Sequence, residues 1–312
     1  MSFLGIRRRR TVGIAIVGCL AVALSATPAL AKKKKKKPIK LGPVVTVSAV
    51  GNTASAGAES TAVANCPSGK QVIGGGFSAP LNMSVALVVH DSYRSSAQSW
   101  TVNARNLSAV SGAATGYAYC RKTTKSQVTD SAQSVGLSGV ADTKTLSPTC
   151  PAGTKLVGGG FQSSVGPNTS DWVIVDQNAP GPGSGAWTVT GVNATASSKT
   201  LTAHTYCLAG IRTPTILSQS TSGSAGTIPG LSVTTGSCPP PPKPKKGKKG
   251  KKKKKKPAQL LSAGGFNGPI ASNSGPVPIW SDSLVASPGW KATTVNLSSP
   301  GSISITSYGV CV

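Results

Sequence analysis

Short apolar runs alternate with polar positions along most of the chain, and Gly, Pro, Asn or Ser interrupt them every few residues. Trp100-Thr-Val-Asn and Trp187-Thr-Val-Thr place an apolar side chain at every second position, which is the period of a half-buried β-strand. Val, Ile and Thr, which favour strands, are frequent in these runs. The pattern therefore predicts an all-β fold of short antiparallel strands.

One set of landmarks occurs three times. A Cys-Pro pair is followed by a glycine run that ends in Phe, and 11 positions separate the Cys from the Phe in the first two copies. The spacing is 28 in the third copy, where a Pro- and Lys-rich insert intervenes. Repetition of this kind is typical of one structural unit used several times. The pairs are Cys66 and Phe77, Cys150 and Phe161, and Cys238 and Phe266.

Later landmarks keep the same register. Each copy has a Trp, an Asn six positions later, and a second Cys 14 or 15 positions after the Asn. They are Trp100, Asn106 and Cys120; Trp187, Asn193 and Cys207; and Trp290, Asn296 and Cys311. The sequence therefore predicts three small antiparallel repeats, sandwich-like or jelly-roll-like, at residues 44–122, 127–210 and 216–312.

Disulfides are expected because modules this small bury a modest core and usually need a covalent link. Six cysteines follow the N-terminal segment, and of their fifteen possible pairings the repeat selects one bridge per copy. Each bridge should contribute roughly 4 kcal/mol in the chain-entropy model. No CxxC or His-x-His spacing accompanies them, so neither a metal nor a cofactor is expected. The predicted pairs are Cys66–Cys120, Cys150–Cys207 and Cys238–Cys311.

The unit of Cys-Pro-x-Gly, Gly-Gly-Gly-Phe, Trp and Tyr-x-Cys resembles one found in secreted bacterial proteins, and the resemblance covers Val44 to Val312. It implies no particular activity. The third copy departs from the unit by its insert, by Ala263 at the first Gly and by Val310 at the Tyr. These departures argue against one surface role shared by all three copies.

Residues 1–31 predict a secretory signal peptide. Arg7 to Arg10 precede an apolar run from Thr11 to Ala26, and a small-x-small sequence ends at Ala31, where cleavage is expected. One alternative is a lipobox ending at Cys19, which would be acylated. Another is an uncleaved anchor, since the segment from Thr11 to Ala31 is long enough to span a bilayer. All three readings predict a secreted or cell-surface protein of a bacterium.

The net charge of +26 is unevenly distributed. Four basic residues lie in Arg7–Arg10, seven are Lys32–Lys37 and Lys40, and eleven lie between Lys243 and Lys256. The remaining chain has eleven basic residues against seven acidic ones, so it is almost neutral. A basic tract of this kind indicates a non-specific polycation rather than a shaped anion site.

The two lysine tracts are the linker 32–43 and the insert 239–257, both predicted to be disordered because like charges repel. We expect them to bind an anionic cell-wall polymer or another polyanion, and the alternative is a solvated spacer. They contain no aromatic residues, so base-specific recognition of nucleic acid is not expected. The lysines assigned to this role are Lys32, Lys33, Lys34, Lys35, Lys36, Lys37, Lys251, Lys252, Lys253, Lys254, Lys255 and Lys256.

No catalytic residue is predicted. His90 and His204 fall at non-equivalent positions, and neither a nucleophile motif, a phosphate loop nor a dinucleotide fingerprint is present. Asp91 and Asp176 align in the repeat, with Asp282 near the same place. A repeated carboxylate could bind Ca²⁺ or a sugar, although a structural hydrogen-bond or ion-pair role is the preferred interpretation.

The predicted function is that of a non-enzymatic secreted or cell-envelope structural or adhesive protein, held to anionic surfaces by lysine. One alternative is a carbohydrate-binding protein, with Trp172 and Trp280 as the exposed stacking residues. The other is a lipoprotein anchored at Cys19. Candidate glycosylation sequons begin at Asn82, Asn106, Asn168, Asn193 and Asn296.

Overall fold

The computed structural model describes residues 42–81, 85–122, 127–164, 172–183, 185–224, 230–240, 259–269, 278–286, 289–296 and 302–312. These residues form strands and connecting segments and contain no helix, and each repeat contributes six strands. The first has β1 (Val45–Val50), β2 (Glu59–Asn65), β3 (Gln71–Ser78), β4 (Leu87–Arg94), β5 (Ser99–Asn106) and β6 (Thr115–Arg121). The second has β7 (Thr129–Leu137), β8 (Thr143–Leu146), β9 (Thr154–Ser163), β10 (Val173–Pro180), β11 (Trp187–Asn193) and β12 (Lys199–Ala209). The third has β13 (Thr215–Ser224), β14 (Leu231–Thr234), β15 (Leu261–Asn267), β16 (Pro278–Val285), β17 (Trp290–Asn296) and β18 (Ser302–Cys311).

The strands form three six-stranded antiparallel sheets, and two repeats share each sheet. The orders are β1-β6-β3-β16-β17-β14, β13-β18-β15-β10-β11-β8 and β2-β5-β4-β9-β12-β7. Repeats therefore meet at three seams, which are the strand pairs β3–β16, β4–β9 and β10–β15. The predicted all-β fold with three repeats is confirmed. The structure adds that each repeat completes the sheets of both its neighbours, in a cyclic, pseudo-threefold arrangement.

The glycine-rich strands β3, β9 and β15 meet at the centre of this arrangement. Phe77, Phe161 and Phe266 contact one another edge to face, with ring centroids 6.1–6.4 Å apart. Three positions earlier the strands meet again, since a Cβ added to Gly74 or Gly158 would lie 2.7 or 2.9 Å from the Cβ of Ala263. Because equivalent residues meet at two levels, the three strands run in the same direction past a common axis.

The other glycines of each run make room for two further close approaches. A Cβ on Gly75 would lie 2.0 Å from the indole of Trp100, and a Cβ on Gly76 would lie 2.0 Å from the carbonyl oxygen of Ser283 across a seam. The same two approaches occur in the other repeats. A β-bulge precedes each run, at Ile73, Val157 and Ser262. Each glycine run therefore combines a bulge with close backbone approaches.

The common strand direction defines two ends of the body. The Cys-Pro turns precede the central strands, so all three lie at one end, which we call the cysteine end. The β4–β5, β10–β11 and β16–β17 hairpins and the connections between repeats lie there too, as backbone bonds from Cys66 to Gln98 and from Cys150 to Gly185 show. The last residues of β1, β3 and β5, the first residues of β2, β4 and β6, and the equivalent strand ends of the other repeats lie at the opposite end, which we call the loop end.

Candidate functional site

The structure contains the three predicted disulfides. Their Cα–Cα distances are 5.5 Å for Cys66–Cys120, 5.6 Å for Cys150–Cys207 and 5.7 Å for Cys238–Cys311. In each pair the first cysteine follows a strand of one sheet and the second lies among the last three residues of a strand of another. Each bridge therefore joins the two sheets to which its repeat contributes. Three such bridges are typical of an extracellular or otherwise oxidising environment.

The repeated tryptophans are core residues. Trp100, Trp187 and Trp290 are at most 1% exposed. Each indole N–H donates a hydrogen bond to a side chain at a seam. Across that seam, the accepting residue lies opposite the Phe of the next repeat. The acceptors are Ser92 Oγ at 3.1 Å, Asn178 Oδ1 at 2.7 Å and Ser283 Oγ at 3.1 Å. The tryptophans thus fix the seams and leave no face for a ligand.

The repeated asparagines organise the loop end. Asn106 is fully buried, donates to the backbone oxygens of Ala54 and Val110, and accepts from the backbone N–H of Ser108. Asn193 repeats this pattern with Thr195 as the donor. These two Asn-x-Ser/Thr sequences are thus structural turns whose amides are not free for glycosylation. Asn82, Asn168 and the side chain of Asn296 lie outside the described residues.

The repeated aspartates do not align as predicted. A bulge at His90 places Asp91 opposite Asn103, and the equivalent bulge in the second repeat falls at Asp176 itself. Gln177, not Asp176, is therefore the counterpart of Asp91 and of Asp282. The alignment of Asp91 with Asp176 was wrong because sequence spacing does not show which residue a bulge leaves unpaired.

Asp91 and Asp282 each connect two repeats. Asp91 accepts hydrogen bonds from Asn103 Nδ2 at 2.8 Å and, across a seam, from the backbone N–H of Ser163 at 2.7 Å. Asp282 accepts from Ser78 Oγ across another seam at 2.7 Å and pairs with Lys291 Nζ at 2.9 Å. The described residues include no His, Cys, Asp and Glu cluster that could hold a metal. These two side chains therefore have the hydrogen-bond and ion-pair role that the sequence analysis preferred.

Buried tyrosines accept hydrogen bonds across two of the three seams. Tyr119 Oη accepts the backbone N–H of Val285 at 2.8 Å, and Tyr206 Oη accepts that of Arg94 at 2.7 Å. The third seam has Val310 in place of the tyrosine, and its partner position is Pro180, which has no N–H to donate. The third repeat therefore lacks the tyrosine hydroxyl at the one seam where the partner residue has no backbone N–H to donate.

The two histidines occupy different environments. His90 is 1% exposed, with its ring nitrogens 3.6 Å from Glu59 Oε1 and 3.4 Å from Asp91 Oδ1. His204 is 7% exposed, with Nδ1 2.9 Å from Asp130 and Nε2 2.9 Å from Gln162. His204 pairs with the third residue of its glycine run, at the position that Tyr117 and Tyr308 occupy in the other repeats.

Of the two tryptophans predicted to be exposed, Trp280 is buried. It is 4% exposed and stacks on Phe266 with ring centroids 4.2 Å apart, so the prediction for this residue was wrong. Trp172 is half-buried and packs against Ile174 and Val192. Trp280 therefore presents no open ring face to a carbohydrate.

Comparison of the chain with models of known protein families and with curated proteins returns no match.

Two clefts lie on the outer faces of the sheets, at seams. One, of about 520 Å³, is lined by Ser78, Asp282, Lys291 and Thr293 among others. The other, of about 660 Å³, lies between the second and third repeats and is lined by uncharged polar and apolar side chains. These include Thr145, Ser147, Gln177, Pro180, Thr188 and Tyr308.

The lysine tracts, the signal peptide and Cys19 lie outside the described residues, but the residues that adjoin the tracts are described. The chain enters the body at Gly42, whose carbonyl oxygen accepts a hydrogen bond from Arg121 Nε. The insert leaves after Cys238, which is bonded to Cys311, and returns at Leu261, which pairs with Cys311. Both ends of the insert are therefore fixed to one residue at the cysteine end. The described residues contain no helix long and apolar enough to cross a membrane.

Proposed function

We propose that the chain is a non-enzymatic secreted or cell-envelope scaffold, held to an anionic envelope polymer by its lysine tracts. The observation that carries the proposal is the separation of charge. Eighteen lysines lie in two tracts, whereas the rest of the chain after the leader is almost neutral. Attraction between a polycation and a polyanion needs no shaped site.

The fold supports a scaffold role. Shared sheets, three disulfides and a closed central axis hold the body together. The large side chains that recur in the repeats pack the core and form the contacts at the seams. The insert replaces a turn that is four residues long in the first repeat, between Cys66 and Gln71. The body thus carries its polycation as a loop closed at Cys311, in addition to the N-terminal tract.

The proposal is tested by retention of the purified full chain on immobilised dextran sulfate. Release should require rising salt, because binding of a polycation releases counterions. A variant with Gln at Lys32–Lys37 and Lys251–Lys256 should elute much earlier while its thermal unfolding is unchanged. Retention that is insensitive to salt, or equal for both proteins, would overturn the proposal.

Fractionation of host cells separates this function from the lipoprotein alternative. Electrostatic retention predicts that a salt wash releases the protein from the envelope. Acylation at Cys19 predicts release by detergent alone. The Cys19→Ala variant should leave the salt-released fraction unchanged under the proposal and should abolish envelope retention under the alternative.

The cleft beside Tyr308 favours a carbohydrate-binding alternative. Its hydroxyls and amide are uncharged, and Tyr308 supplies an aromatic side chain next to Pro180. A neutral glycan bound there would survive high salt and be lost in Tyr308→Ala. Binding of glycans on an array with those two properties would favour the alternative over the polyanion proposal.

A further inference from the structure

Four cations of the folded body lie at one end of the pseudo-threefold axis, two of them exposed and two half-buried. Lys70 belongs to the Cys-Pro turn of the first repeat, and Lys155 lies just after the equivalent turn of the second. Lys122 and Arg212, both exposed, follow the last strands of those two repeats. All four positions are at the cysteine end, because the central strands begin there and β6 and β12 finish there.

None of these four cations forms an ion pair within the described residues. Three other cations each form an ion pair with a nearby carboxylate. Lys144 at the loop end is 2.9 Å from Asp142, Arg105 is 2.9 Å from Glu59, and Lys291 is 2.9 Å from Asp282. The charge of the body is thus unevenly distributed: four cations without an ion-pair partner among the described residues lie at the cysteine end, whereas Lys144 and Arg105, toward the loop end, are paired.

The lysine tracts join the body beside the same cations. Gly42, where the N-terminal tract leads into the fold, lies next to Lys122, since a Cβ on Gly42 would be 3.9 Å from the Cβ of Lys122. Gln259, where the insert returns, accepts a hydrogen bond from Thr215 at 3.2 Å, three residues after Arg212. The described residues that adjoin the two tracts, Gly42 and Gln259, therefore both lie at the cysteine end.

We infer that the cysteine end is the face that the folded body presents to its anionic partner, with Lys70, Lys122, Lys155 and Arg212 in contact with it. The loop end, with its paired charges, then points away. This inference rests on the proposed function and adds to it a docking face made of described residues. The partner is an anionic polymer surface, because four dispersed cations do not enclose a small anion.

The inference is tested by lysine acetylation of the full chain, free and bound to dextran sulfate. Lys70, Lys122 and Lys155 should become less reactive on binding, whereas Lys144 should keep its reactivity. Equal protection of Lys144 would overturn the orientation, as would unchanged reactivity of the three cysteine-end lysines in the bound protein. Absence of binding would instead overturn the proposed function, so the two failures are distinguishable.

A matched pair of variants gives a second readout. Lys122→Gln should weaken binding at low salt about fivefold, which is the usual effect of one cation at an anionic surface. Lys144→Gln should leave the affinity unchanged, since this lysine lies at the far end and already has an acidic partner. Thermal unfolding controls for folding of both variants. The opposite order of effects would contradict the docking face.

Discussion

At the residue scale, the glycines, the Trp–Asn pairs and the tyrosines that recur in the repeats have three separate structural roles. The glycines allow close approach at the axis, at the tryptophan and across the seam. The tryptophan and asparagine satisfy buried polar groups at the seams and in the loops. The tyrosines three positions before a closing cysteine and those one position before it are not equivalent, because only the latter, Tyr119 and Tyr206, reach a backbone donor of a neighbouring repeat.

The seam tyrosines provide the first prediction. Tyr206→Phe should lower the free energy of unfolding by about 1–3 kcal/mol, because it leaves the Arg94 N–H without its acceptor in a buried position. The measurement is urea unfolding at neutral pH. Tyr308→Phe, at a half-buried position outside the seam contact, is the control and should have little effect. Equal effects of the two substitutions would contradict the seam role.

Asp142 provides a pH prediction at the loop end. The backbone N–H of Ser138 and the ammonium of Lys144 lower the pKa of this carboxyl to about 2. Because the folded pKa lies below the unfolded value of about 4, the stabilisation is present above pH ~4 and disappears as the pH falls toward 2. Asp142→Asn should therefore differ most from the wild type at neutral pH. A stability difference that stays constant between pH ~5 and ~2 would contradict this account.

At the element scale, the sequence predicted the strands and the disulfides but not which strands pair. The six-residue Trp-to-Asn spacing and the cysteine spacing are local to a repeat, so they fix β5 and β11 and the bridges. The pairing of β4 with β9 involves edges of two repeats, and an edge strand has the same alternating pattern whichever copy completes its sheet. Trp280 was misjudged for the same reason, since its burial depends on a stacking contact and not on its position in the repeat.

The departures of the third repeat also become interpretable at this scale. Ala263 replaces a glycine at the axis, where its methyl group occupies the space between Gly74 and Gly158. Gly158→Ala should destabilise the body by about 1–3 kcal/mol through overpacking. The double variant Gly158→Ala/Ala263→Gly should recover part of this loss, because it restores one methyl group to the axis. Additive losses in thermal or urea unfolding would contradict a shared axial space.

At the scale of the whole molecule, the cyclic exchange of strands makes three repeats into one body. No repeat has a complete sheet of its own, and the axial contact of Phe77, Phe161 and Phe266 requires all three. The same symmetry gathers the cysteine turns and the attachment points of both lysine tracts at one end. The proposed docking face therefore depends on the three repeats folding together around one axis.

Native-state hydrogen exchange tests this dependence most directly. The central strands β3, β9 and β15 should exchange with a common opening free energy equal to that of global unfolding, because each is held by the other two. Peptides covering residues 71–78, 154–163 and 261–267 report on the three repeats separately. Three distinct opening free energies, or one repeat that exchanges while the others stay protected, would contradict a single interlocked body and with it the common cysteine end.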